Sequence, residues 1–133
     1  MANLLFSFQG RFNRAKFWLV ALGIFVVEII VFAAIGGGAA MSGDPEQAMA
    51  AIGPIAGIVL LVVGVVAFWI SLATAVKRYH DRNKTGWWVL IVLVPVIGGL
   101  WYLIECGFLR GTAGSNAYGP DRTAEDTGID PRR

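Results

Sequence analysis

The residues best suited to chemistry are few and widely spaced. His80 stands beside Asp81 in Lys77-Arg78-Tyr79-His80-Asp81, and a carboxylate next to an imidazole can orient the ring and strengthen its hold on a proton, as a proton shuttle or pH sensor requires. Neighbours in sequence need not face each other, however. The simpler expectation is that the pair ends a helix, meets the nearby cations and fixes the turn into Gly86-Trp87. Glu28 and Glu105 are the second candidates, each a lone carboxylate in a long apolar stretch, where an ionised group is costly unless it is partnered or functional. If their stretches both cross a membrane, Glu28 lies past the centre toward the outside and Glu105 near the outer end, so the two could share one proton. The competing reading leaves each protonated or hydrogen-bonded to Ser, Thr, Tyr102 or a backbone group. With one histidine and a single cysteine, Cys106, neither a metal-ligand cluster nor an intrachain disulfide is expected. No activated nucleophile or phosphate-binding glycine loop is recognisable, so an enzyme working on a lipid headgroup through His80 and Asp81 ranks last, and no cofactor is expected.

The elements that must position these residues are membrane helices. Of 133 residues, 56% are hydrophobic and 15% charged, against roughly 45–50% and about 25% in a soluble domain, and the mean hydropathy is +0.65. The charges gather in short zones separated by long apolar stretches. These predict an all-α integral membrane helical bundle with three transmembrane helices, about 17–35, 52–76 and 87–109, behind a short interfacial N-terminal segment over residues 1–16 and ahead of a flexible tail over 110–133. The first stretch is read as a retained span, because it is longer than a signal-peptide core and leads through Gly36-Gly37-Gly38 toward a second span. Asn13 is a candidate N-cap for it. Asp44-Pro45-Glu46 reads as a turn opening a short surface helix. Pro95 and Gly98-Gly99 interrupt the third stretch, and two alternatives stay open there: one kinked crossing, or a re-entrant hairpin turning at Pro95.

Arg11, Arg14 and Lys16 flank the first span and Lys77, Arg78, Arg82 and Lys84 follow the second, whereas the loop between them has no lysine or arginine. The positive-inside rule therefore puts the N-terminus and second loop in the cytoplasm and the first loop outside, with the tail outside too if the third span crosses. All seven cations are expected at the lipid interface, where each adds roughly 1 kcal/mol of attraction to anionic lipid. Trp18, Trp87 and Trp88 form an aromatic belt at the same level. Gly57, Gly64 and Ser71 recur every seven residues, with Gly53 one turn before, giving a small-residue face for helix packing in the bundle or in a homo-oligomer.

Three segments in order, Gly10-Arg11-Phe12-Asn13-Arg14-Ala15-Lys16-Phe17-Trp18, then Lys77-Arg78-Tyr79-His80-Asp81 with Gly86-Trp87-Trp88 and Pro95-Val96-Ile97-Gly98, and Gly114-Ser115-Asn116-Ala117-Tyr118-Gly119-Pro120-Asp121, make the chain resemble the small bacterial inner-membrane proteins catalogued as domain of unknown function 805. The resemblance covers about residues 10–121. It implies an inner-membrane location and a compact helical bundle, and brings no established activity. Against the family pattern, Lys16 stands where an acidic residue is common, Lys77-Arg78 forms the basic pair, and Asp121-Arg122 replaces Asp-Pro; the lysine gives up a capping box with Asn13 and adds charge for lipid phosphates.

A small net charge of +2 gives no reason to expect nucleic-acid binding. The expected partners are the lipid bilayer with its anionic lipids and a membrane protein partner or second copy. The leading expectation is a structural or accessory inner-membrane protein. The alternative is an oligomeric small transporter or channel using the intramembrane carboxylates.

Overall fold

The computed structural model describes residues 2–41 and 43–120. Among these residues the fold is helical, without strands. A short helix α1 (Ala2–Leu5) precedes α2 (Arg14–Ala40), then come α3 (Pro45–Ala51) and α4 (Pro54–Asp81). A 3₁₀ helix (Gly86–Leu93), α5 (Ile97–Tyr102) and a π-helical segment (Leu103–Phe108) complete the chain of elements. The helices α2 and α4 are each long and apolar enough to cross a membrane, and Ile97–Phe108 is a shorter apolar helix.

Local chemistry sets the ends. Asn13 caps α2, its Oδ1 accepting from the Lys16 N–H at 2.8 Å. Asp44 does the same for α3, accepting from the Glu46 N–H with Pro45 at the first helical position. At the end of α4 the Asn83 N–H donates to the His80 carbonyl and the Lys84 N–H to that of Tyr79, with Asn83 at φ 58°. This is a Schellman termination with asparagine in the left-handed position.

The chain divides into two compact units, Ala21–Trp69 and the described parts of Met1–Val20 with Ile70–Arg133. The first holds the C-terminal part of α2 and the N-terminal part of α4 with α3 between, and its described charged residues are Glu28, Asp44 and Glu46, with no cation. The second holds the remaining described charges, eight cations against the carboxylates of Asp81 and Glu105. Its core is Phe17, Tyr79 and Cys106, with Val89 and Tyr102 packed against them.

The third apolar stretch is not one continuous helix. Its 3₁₀ half packs against α5, and the chain reverses at Pro95-Val96-Ile97, where the Ile97 N–H donates to the Pro95 carbonyl at 2.7 Å and Val96 sits at φ 63°, ψ −62°. This is a γ-turn of the strained, positive-φ kind. Gly98 permits the reversal, because a Cβ there would lie 1.8 Å from the Ile91 carbonyl oxygen. Eight residues of 3₁₀ helix rise about 16 Å and the returning arm, six residues of α5 and six of the more compact π-helix, less than about 18 Å. Neither arm spans a ~30 Å hydrocarbon core.

Candidate functional site

The cations and carboxylates of the second unit form a polar knot where the N-terminal segment, the end of α4 and the segment after Phe108 meet. Asp81 lies at its centre. One carboxylate oxygen accepts from Arg11 Nε at 2.9 Å and the other from an Arg78 terminal nitrogen at 2.8 Å, with all three side chains at most 4% exposed. The guanidinium groups then gather carbonyls from irregular backbone. Arg11 donates to Gly114 at 2.7 Å, Gly119 at 3.2 Å and Thr112 at 2.6 Å. Arg78 donates to Cys106 at 2.6 Å, Phe12 at 3.1 Å and Leu109 at 2.7 Å. A buried carbonyl without a donor is costly, and the five N–H groups of a guanidinium are suited to several at once. Gly111 passes so close that a Cβ would sit 1.8 Å from Asp81 Oδ2, and the Thr112 N–H donates to the Asp81 carbonyl at 2.7 Å.

The side chains of His80 and Asp81 take different partners. The His80 ring stacks on Tyr118 with centroids 4.0 Å apart and planes 5° from parallel, and its Nδ1 lies 3.2 Å from the Gly10 carbonyl oxygen. Asn116 Nδ2 donates to the His80 carbonyl at 2.8 Å. Residues 110–120 are irregular but tied to the knot by these bonds. Asp121, Arg122 and the rest of the expected flexible tail lie outside the described residues.

Glu105 forms a second cluster. Its Oε1 accepts from Arg82 Nε at 3.1 Å and pairs with the Lys84 ammonium, while Oε2 accepts from Trp101 Nε1. Arg82 also donates to the Arg110 carbonyl at 2.8 Å, and Lys84 lies over the Trp88 ring at 4.5 Å. The expectation that Glu105 sits at the far end of a third crossing is therefore corrected: the hairpin brings it back beside the second-loop cations from which the stretch departs. Donors occupy both of its carboxylate oxygens. Glu28 itself is exposed and lines an open groove in the other unit with Phe25, Phe32, Leu60 and Gly64.

The interface residues divide. Arg11, Lys77 and Arg78 are buried, which corrects their expected place among lipid-facing cations; Lys77 Nζ donates to the Leu4 carbonyl and lies 4.7 Å from the Phe12 ring centroid. Arg14 is exposed and donates to the Phe108 carbonyl at 3.1 Å, and Lys16, Arg82 and Lys84 are partly exposed. Trp18 donates from Nε1 to the Gly107 carbonyl at 3.0 Å, and Trp87 is 78% exposed. Along α4, Gly57, Gly64 and Ser71 are exposed, and a Cβ added at Gly53, Gly57 or Gly64 meets no described atom within 4 Å. Trp101, Gly111 and Tyr118 join the site as well, and of the three Tyr118 carries a sequence signal, its place in the Gly114–Gly119 motif. Among the described residues no group of three His, Cys, Asp or Glu side chains could hold a metal.

The three separated motifs thus meet in one place. A family model described as "Protein of unknown function (DUF805)" matches residues 5–120. The chain is 31% identical over 119 residues to inner membrane protein YhaH of Escherichia coli K12, covering 90% of this chain and 89% of that one. It is 34% identical over 127 residues to inner membrane protein YhaI of the same strain, covering 86% and 85%, and 27% identical over 141 residues to the uncharacterized protein YiiR, covering 88% and 86%. No solved structure matches. The chain belongs to the DUF805 family of unknown function, whose inner-membrane members it resembles along most of their length.

Proposed function

We propose that this protein is a small structural or accessory component of the bacterial inner membrane that performs no catalysis and presents a basic cytoplasmic face to a partner protein or to anionic lipid. The observation that carries the reading is the state of its polar groups. Asp81 and Glu105 have donors on both carboxylate oxygens, and His80 is stacked and bonded to backbone. Such groups brace irregular backbone; a general acid or base needs one face open to substrate.

In this reading α2 and α4 cross the bilayer, with the N-terminus and second loop inside, and residues 86–108 enter the cytoplasmic leaflet and return. Irregular backbone at that depth is tolerated when its polar groups are satisfied within protein, and at the turn the Val94, Ile97 and Gly98 N–H groups donate to the Ile91, Pro95 and Val94 carbonyls. The tail is then cytoplasmic as well. Two measurements test the proposal. A reporter fused after Arg133 should fluoresce as a cytoplasmic fusion and be inactive as a periplasmic phosphatase; phosphatase activity would refute the hairpin. Purification of the tagged chain from native membranes in mild detergent should bring down a stoichiometric protein partner or tightly held anionic lipid. Recovery of the chain with neither would count against the accessory role.

A second reading, an oligomeric transporter or channel, is favoured by one observation: Glu28 is exposed on an open groove beside Gly64. Flux in liposomes that depends on Glu28 and disappears in Glu28→Gln would favour it over the accessory role.

A further inference from the structure

Within the unit Ala21–Trp69, α2 and α4 together line an open groove of about 490 Å³. Phe25, Glu28 and Phe32 line it from α2, and Leu60, Val63 and Gly64 from α4. Spacings of three and four residues put Phe25, Glu28 and Phe32 on one face of α2, with a phenyl ring about one turn to each side of the carboxylate, and all three residues are exposed. Gly64 keeps the groove open, since a Cβ added there meets no described atom within 4 Å. Glu28 has no hydrogen bond or ion pair among the described residues, and the sequence from Ala21 to Trp69 contains no Lys, Arg or His to supply one. At 1.5 Å per residue it stands about 21 Å from the start of α2 and about 18 Å from its end, too far for its side chain to reach either. In a helix that crosses a bilayer, an unpartnered carboxylate there is costly unless a partner arrives from outside the chain.

We propose that this groove binds a lipophilic monovalent organic cation, a quaternary ammonium or phosphonium ion with apolar substituents. The inference rests on the reading in which α2 and α4 cross the bilayer, and deepens the transport alternative by naming the class of substrate. A carboxylate attracts a cation more strongly in a low-dielectric layer than in water, and phenyl faces add to that attraction, as in the aromatic sites that hold quaternary ammonium groups. Leu60, Val63 and the two rings offer the substituents an apolar wall, and the volume lies in the range of small-ligand pockets, roughly 300–1,000 Å³. Glu28 is the one polar side chain among the described residues that line the groove, too few oxygens for a bare metal ion. A second copy of α2 and α4 brings no cation at this level either, because Ala21–Trp69 contains none.

The test places the full chain in phosphatidylcholine nanodiscs and measures uptake of radiolabelled tetraphenylphosphonium by equilibrium dialysis, with empty nanodiscs as the blank for partition into lipid. Binding should saturate at one site per chain, whereas tetraphenylborate, of the same shape and opposite charge, should not exceed the blank. Glu28→Gln should weaken the affinity about tenfold or more, Glu28→Asp less, and Phe32→Leu about two- to fivefold. Gly64→Leu, which keeps the charge and fills the groove, should weaken it as well. Glu46→Gln removes a carboxylate from an exposed position of the same unit outside the groove and should leave the affinity within about twofold. Equal weakening by Glu28→Gln and Glu46→Gln would reduce the effect to diffuse attraction and overturn the site. Absence of saturable binding, or equal affinity for tetraphenylborate, would overturn it too. A parent chain that is dimeric by light scattering, binds no tetraphenylphosphonium and dissociates on Glu28→Gln would give the groove to a second copy and overturn the ligand. Saturable, Glu28-dependent binding without flux in liposomes would support the site and defeat the transport reading. Glu28-dependent flux of another solute without tetraphenylphosphonium binding would keep the transport reading and overturn the organic cation.

Discussion

Replacing Asp81 with asparagine should be among the most damaging single changes to this protein. The carboxylate is 4% exposed and holds Arg11 on one oxygen and Arg78 on the other, at 2.9 and 2.8 Å. Asparagine keeps one acceptor oxygen and turns an N–H₂ group toward the other guanidinium. At least one charge-assisted bond is lost, worth about 1.5–3 kcal/mol, and two buried cations are left without their shared counter-charge. Breaking a buried ion pair by removing one partner typically costs about 3–5 kcal/mol, so about 3 kcal/mol or more is expected. With an unfolding entropy near 2.1 cal/mol/K per residue, a chain of 133 residues loses about 4 °C per kcal/mol, which puts the fall in midpoint at about 10–20 °C.

The assay is thermal or denaturant unfolding of the purified protein in one detergent, with a double-mutant cycle to Arg11→Met. Because both changes break the same contact, their effects should be strongly non-additive, with a coupling of about 1–3 kcal/mol. Asp81→Asn within about 1 kcal/mol of the parent, or strict additivity with Arg11→Met, would refute the reasoning that the knot is a central stabilising feature.

Three further outcomes follow from the same geometry. Gly98→Ala and Gly111→Ala each place a methyl group 1.8 Å from an oxygen, of Ile91 and Asp81 respectively; both should lower the unfolding midpoint sharply, whereas Gly57→Ala, with no described atom within 4 Å, should not. Val96→Gly should raise stability by about 1 kcal/mol, since a valine at φ 63° holds about 1–3 kcal/mol of strain and glycine returns part of that through its larger unfolded-state entropy; a destabilised variant would contradict the γ-turn. Glu28→Gln should leave the unfolding midpoint unchanged, because the side chain is exposed, so any loss of liposome flux in that variant would report function and not folding.

The sequence carries some of this architecture plainly and hides the rest for physical reasons. The two long helices are legible because α2 and α4 are long apolar runs, with charge at the start of one and the end of the other, and the cap at Asn13 and the turn at Asp44 because their side chains act within three residues. Residues 87–109 are ambiguous by nature. An apolar run of that length satisfies hydrocarbon equally well as one crossing or as two half-depth arms, and it is the turn at Pro95-Val96-Ile97, with the bonds from Arg82 to the Arg110 carbonyl and from Lys84 to Glu105, that distinguishes them.

The cations mislead for a related reason. A lysine or arginine beside a span reads as a lipid contact, since its long side chain can reach the headgroups, a reading that needs the exposure Arg14 keeps. It fails at Arg11 and Arg78, where nearby backbone is irregular and several carbonyls have no helical partner: Gly114, Gly119 and Thr112 for one, Cys106, Phe12 and Leu109 for the other. Taken out of water, those oxygens need donors from protein, and a guanidinium supplies more of them from one position than any other side chain. The glycine-rich segment after the last helix is therefore the sign, readable in the sequence, that some of these arginines face inward, and Asp81 is the charge that lets two of them do so together.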